Sequence, residues 1–202
     1  MSDELVRKIV EEEWSMFDAV NRGSGARASC QDDAKTFYIM RSSQAAAWTK
    51  ALQESYYHDL LEAKAKGRNL LTEKYAFMMA STDPLRYEQI KNRLPVISGE
   101  TLSEIEEIIK IQLQWKVDTF QKYPHLTANG RSFYTRDDTF FNTSFETYLR
   151  GELKTYSAET VRLYLEMVRK MERAGENLEQ KCLLNTVKQY GYDSLEQAES
   201  RN

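Results

Sequence analysis

Cysteine, histidine, proline and glycine are all scarce in this sequence of 202 residues. Two cysteines, Cys30 and Cys182, cannot build a disulfide framework, which places the expectation in a reducing compartment, the cytoplasm. Added to two histidines, His58 and His125, they have no spacing that makes a four-ligand zinc site. No apolar run approaches the ~18 residues of a membrane span. The opening residues, MSDELVRKIVEEEW, are acidic and amphipathic and lack the apolar stretch of a secretion signal. An excess of one charge is missing too: 28 Lys+Arg against 31 Asp+Glu leave −3. A generic nucleic-acid binder is usually basic with a concentrated patch, so neither nucleic acid nor a membrane is expected as a partner.

Apolar residues at 41 % and charged residues at 29 % exclude a disordered chain. With three prolines and eight glycines, little interrupts helices, and the apolar spacing is helical nearly throughout. The expectation is an all-α, single-domain multi-helix bundle over 1–202. A first helix is predicted over about 3–21, ending at Gly23-Ser24-Gly25. A second region runs from near Asp32 to Gly67, with an interruption at Ser42-Ser43 left open. The next helix covers about Asn69 to Ala80, and Asp83-Pro84 restarts the chain with a cap and a first-position proline. Thr101…Glu104 reads as a capping box for a long helix to about Tyr123, and Thr143…Glu146 opens another. Ser157 caps a third, and Asn177…Gln180 starts the last long one.

About nineteen residues, Pro124 to Asn142, lack a helical period. Loops of that length are usually functional or disordered. Its Phe133, Tyr134, Phe140 and Phe141 are too aromatic for a floppy linker, so it is expected to pack over the bundle. It reads either as a pinned surface loop or as a lid.

Polar residues that interrupt apolar stripes are the most informative feature. On the first helix Val6, Ile9, Val10, Met16, Phe17 and Val20 share a face, and Glu13 lies in its middle. Glu152 falls likewise among Phe145, Tyr148, Leu149 and Tyr156. If the second region is continuous, Asp33, Arg41, Gln44 and Ser55 share a face with Phe37, Trp48, Ala51 and Leu52. Lys116 lies in the stripe of Leu102, Ile105, Ile109, Leu113 and Phe120, where a lysine can also snorkel. The helix near 158–173 is clean and reads as scaffold.

A buried carboxylate is expensive unless paired, hydrogen-bonded or protonated. Structural ion pairs account for any one of these residues. Together they point to a polar pocket inside the bundle for a small polar metabolite. Glu13 and Glu152 are the candidate acid–base groups, one with a raised pKa, and Arg41 the anion clamp. Arg27, Asp33, Gln44, Arg131, Tyr148 and Arg150 are candidate substrate contacts.

Cys30 is a candidate nucleophile. Ser29 with Asp32 three residues on resembles an N-cap, which would place Cys30 at a first helical position near Arg27, and both features lower a thiol's pKa. Asp32 and Asp33 oppose that shift, no histidine is close in sequence, and a cysteine is commonly just a small buried residue. Cys182 reads as core. Glu54, His58 and Glu62 share a helix face but lack the Glu-x-x-His spacing of di-iron bundles. Glu104 and Glu107 lack a second acidic pair for a magnesium cluster. No phosphate loop, dinucleotide fingerprint or nucleophile elbow occurs. Neither metal nor cofactor is expected.

Four segments carry a resemblance: Glu13-Trp14-x-Met16-Phe17, Arg27-Ala-Ser-Cys-Gln-Asp-Asp33, Gly67-Arg-Asn-Leu-x-Thr-Glu-Lys-Tyr75 and Ser144-Phe-Glu-Thr-Tyr-Leu-Arg-Gly-Glu-Leu153. The chain resembles, over nearly its whole length, a bacterial family catalogued only as a domain of unknown function. Some members are fused to a nucleotidyltransferase-like domain. The resemblance implies a cytoplasmic bacterial protein and a nucleotidyltransferase-like protein as a partner, and it brings no activity. Two readings follow. One is an enzyme on a small polar metabolite; the other is a non-catalytic helical module that binds a ligand or partner.

Overall fold

The structure is a computed structural model that describes residues 2–20 and 29–201, with the backbone alone at 2, 3, 29 and 30. It is all-α. Eleven α-helices lie among the described residues: α1 Ser2–Asp18, α2 Ala34–Ala45, α3 Lys50–Ala65, α4 Leu70–Thr82, α5 Pro84–Ile90, α6 Gly99–Lys122, α7 Pro124–Thr127, α8 Phe145–Leu153, α9 Ala158–Arg173, α10 Leu178–Gln189 and α11 Leu195–Glu199. None is long and apolar enough to cross a membrane.

Side-chain caps set most of the boundaries, because the first N–H groups of a helix have no partner inside it. Asn69, Asp83, Ser157 and Asn177 each accept the N–H three residues on, as their sequence positions predict. Two starts differ. Ser98 caps α6 by accepting the Thr101 N–H at 3.1 Å, so Thr101 lies inside the helix and is buried. Ser144 caps α8 through the Thr147 N–H at 3.2 Å, while Glu146 binds Arg150 and the Thr135 N–H. The second region is not continuous. It breaks after Ala45, a few residues beyond Ser42-Ser43, and Thr49 caps α3.

α1 packs against α2, α3 and α4, α4 packs against α8, and α9 lies across α3 and α6. Their interior is continuous. Val161, Tyr164, Leu165, Val168 and Met171 of α9 are buried with Ile105, Ile108 and Ile109 of α6 and Leu52, Tyr56 and Leu60 of α3. A smaller cluster of Tyr123, Val187, Leu195 and Ala198 ties α7 and α11 to α10.

The 124–142 segment holds α7 and a 3-10 turn at Thr135–Asp137. Polar contacts pin it more than aromatic ones. Asp138 accepts from Ser81 Oγ at 2.5 Å, Thr147 Oγ1 at 2.6 Å and the Ser144 N–H at 2.6 Å. Phe133 packs on Phe120 at 5.5 Å, but Phe140 and Phe141 are 69 % and 95 % exposed and do not cover the bundle.

Candidate functional site

Glu13 of α1, Arg41 of α2, Lys74 of α4 and Glu152 of α8 meet in the interior. Glu13, Lys74 and Glu152 are 1 %, 2 % and 4 % exposed. The helix contacts explain the meeting: α1 touches α2 and α4, and α4 carries α8. Gly151 makes the last approach close. A Cβ there would lie 2.8 Å from Met78 Cγ and 3.0 Å from the Lys74 carbonyl oxygen.

Arg41 is the hub. Its Nε donates to Glu13 Oε2 at 2.8 Å, and its Nη2 donates to Glu13 Oε1 and, at 3.1 Å, to Glu152 Oε1. Nη1 donates to Gln44 Oε1 at 2.8 Å and to both Glu152 oxygens at 3.1 and 3.3 Å. Lys74 Nζ donates to Glu152 Oε2 at 2.5 Å. Tyr56 donates to Glu13 at 2.7 Å, and Tyr156 to Glu152 at 2.9 Å. Two carboxylates thus face two cations and the group is formally neutral. Among the described residues Trp48 Nε1 is the buried side-chain polar atom without a hydrogen bond, so each buried side-chain N and O of this cluster has at least one partner.

Electrostatics follow from that packing. Burial pushes the Glu152 carboxyl up, but Arg41 and Lys74 together with the Lys74 and Tyr156 hydrogen bonds outweigh it and hold it well below the usual range. The expectation of a raised pKa is therefore corrected for Glu152. Burial beside Glu13 raises the Tyr56 phenol, and burial beside Glu152 raises Tyr156. Burial works against the Arg41 charge, yet Glu13 and Glu152 raise its pKa well above the ordinary value.

The other sequence candidates divide. Gln44 joins the cluster, donating weakly to Glu152 at 3.4 Å. Tyr148 joins through its ring, with Lys74 Nζ 3.4 Å and Arg131 Cζ 4.5 Å from the centroid. Arg131 also donates to the Thr143 carbonyl. Asp33 does not join: it is exposed and caps α2, its carboxylate accepting the Thr36 N–H at 3.0 Å. Arg150 is turned to Glu106 and Glu146 on the outer side of α8. Ser55 pairs with Thr160, and Lys116 with Glu179 of α10. Because Asp33 fixes the start of α2, Cys30 lies in a preceding 3-10 turn, Ser29–Asp32, and not at an α-helix N-terminus. Its side chain and all of Arg27 lie outside the described residues. Cys182 packs against the core, and burial pushes its thiol up. No group of three metal-ligating side chains lies together among the described residues.

The profile of a family described as "Protein of unknown function (DUF4125)" matches residues 3–200. The chain belongs to the DUF4125 family. No curated protein matches it, and no solved structure does. In this DUF4125 chain three of the four segments that carry the resemblance supply Glu13, Lys74, Tyr148 and Glu152 to one cluster.

The sequence reading missed Lys74 and Tyr56 as members of the site. Lys74 sits among Leu70, Leu71, Phe77 and Met78, all buried, so the same stripe test applied to α4 exposes it. Tyr56 carries no such signal, since an amphipathic phenol on an apolar face is ordinary.

Proposed function

We propose that the chain is a non-catalytic helical binding module whose Glu13–Arg41–Glu152–Lys74 cluster fixes how α1, α2, α4 and α8 meet. The observation that supports this is the state of Arg41: Glu13, Glu152 and Gln44 engage all five of its guanidinium N–H groups. No donor is left for an incoming anion. Glu152 agrees, because an acid–base group needs a pKa near the working pH and this one is held low. Recognition then belongs to outer surfaces. The occupant would be a small polar metabolite or, following the resemblance, a nucleotidyltransferase-like protein of a bacterial cytoplasm.

The enzyme reading keeps one supporting observation. Burying an ion cluster is often no more stabilising than packing apolar residues, and Arg41 keeps 11 % of its side chain exposed. Under that reading a ligand carboxylate replaces Glu13 or Glu152 at Arg41, and the freed carboxylate exchanges protons with a small polar metabolite. Gln44, Tyr148 and Arg131 then border the ligand, and Cys30 serves as the nucleophile where one is needed.

Thermal melting of the wild type, Glu13→Gln and Glu152→Gln against amino acids, nucleotides and other polar metabolites separates the two, because a binder of the folded state raises the melting temperature. The module reading expects both variants to melt much earlier, with any ligand shift kept. Variants that hold their stability and lose the shift would overturn it in favour of the enzyme.

A further inference from the structure

Tyr156, whose hydroxyl closes the buried cluster, also walls an open cavity of about 350 Å³. The cavity lies between α3, the segment leading into α6 and the α8–α9 turn, and Asp59, Arg68, Ser98, Lys154 and Ser157 line it. Its volume is near the lower end of small-ligand sites, about 300–1,000 Å³.

Two charges in this wall make no contact ion pair among the described residues, although Arg68 attracts Asp59 and Glu106 attracts Lys154 at longer range. Asp59 is 8 % exposed; its Oδ2 accepts the Ser157 N–H at 2.9 Å, and its Oδ1 accepts no hydrogen bond. Lys154 is half-buried, and its ammonium has neither carboxylate nor hydrogen-bond acceptor, only the Phe77 ring at 5.6 Å. Burial, with Arg150 nearby, pushes the Lys154 pKa down and outweighs the opposing attraction of Glu106, the direction expected of a cation with no anion in contact. The other charges of the wall are matched: Arg68 binds Glu73 at 2.8 and 2.6 Å, and Glu62 binds Lys66.

We propose that this cavity binds a small zwitterion of the α-amino-acid type, with its ammonium group at Asp59 and its carboxylate at Lys154. An anion alone would leave Asp59 unmatched, and a cation alone would leave Lys154 unmatched. A molecule carrying both charges answers both, and the wall, with Asp59 and Glu62 against Arg68 and Lys154, is formally neutral. The N-terminus of α6, capped by Ser98, opens on the same cavity and favours the carboxylate end, while the N-terminus of α9 is already faced by Asp59. Pro95, Val96 and Ile97 offer an apolar wall to a side chain. This site is separate from the buried cluster and does not depend on which reading of that cluster holds.

Calorimetric titration of the full chain with each of the twenty protein amino acids tests it. Each binder is repeated as its N-acetyl and carboxamide derivatives, and on Lys154→Gln and Asp59→Asn. At least one amino acid is expected to bind, with a loss of tenfold or more for both blocked forms and for both variants. Lys154 is half-exposed, so Lys154→Gln keeps the test decisive even where Asp59→Asn unfolds. The proposal is overturned if no amino acid binds, if Lys154→Gln binds as the wild type does, or if either blocked derivative retains its affinity. A retained N-acetyl form would mark a simple anion site, and a retained carboxamide a simple cation site.

Discussion

Burying two carboxylates with two cations is tolerable only when each finds several partners, and Glu152 shows how completely this is met. Arg41, Lys74, Gln44 and Tyr156 all donate to it. Removing one partner exposes the desolvation cost of what remains. Lys74→Met should therefore lower unfolding stability by about 3–5 kcal/mol. Lys74→Met with Glu152→Met should lose less than the two single changes summed, because neither charge is then left alone. The pH dependence gives a second reading of the same pair. The folded pKa of Glu152 is depressed, so its contribution is fully present above the unfolded value of about 4.3 and disappears as pH falls toward the folded one. Urea titrations from pH 6 to pH 3 should show a shallower acid loss in the double variant than in the wild type. Parallel curves would mean that Glu152 is not held ionised by its neighbours.

At the scale of elements, α8 is the short piece that brings Tyr148, Gly151 and Glu152 against α4. Intrinsic propensity favours alanine over glycine inside a helix by about 1 kcal/mol. At Gly151 the close Lys74 carbonyl and Met78 side chain oppose that gain. Gly151→Ala should thus lower the melting temperature, with a net cost of about 1–2 kcal/mol as α8 is forced off α4. A rise would show that Met78 simply moves aside. The helix boundaries at Asn69, Asp83, Ser157 and Asn177 were legible because each cap stands directly before the helical period, and at Asp83 directly before Pro84. Around α6 and α8 several hydroxyls stood close together, Ser98 beside Thr101 and Thr143 beside Ser144, and local sequence does not choose among them. The chosen residue is the one at which the chain leaves extended backbone.

Across the whole molecule the two hydrophobic clusters are unequal. The main one unites α1, α3, α4, α6, α8 and α9, whereas the smaller holds α7 and α11 on α10. Glu199 supports the smaller one by accepting the His125 and Leu126 N–H groups at 2.9 Å each, and Tyr123 donates to Glu196 at 2.6 Å. Regions with few buried apolar contacts open at lower free energy than the global transition. Native-state hydrogen exchange should therefore find the amides of α11 and the end of α10 exchanging well before those of α6 and α9. Uniform protection across all of them would mean that the bundle opens as one unit.

The sequence by itself determined the all-α class, most helix starts and the inward direction of Glu13 and Glu152, because periodicity and capping are local and a charge in an apolar stripe is visible without a fold. Arg41 shares an inward face in the sequence only if 32–67 is continuous; the region breaks after Ala45, and Arg41 reaches the two carboxylates because α2 packs on α1. What only the tertiary structure decided was partnership. Residues 28, 78 and 111 positions apart meet as Arg41–Glu13, Lys74–Glu152 and Arg41–Glu152, and the lowered Glu152 and raised Arg41 pKa values are properties of those meetings. Asp33 and Arg150 carry the same chemistry but face a cap and a surface pair, so residue type alone could not separate them from the cluster.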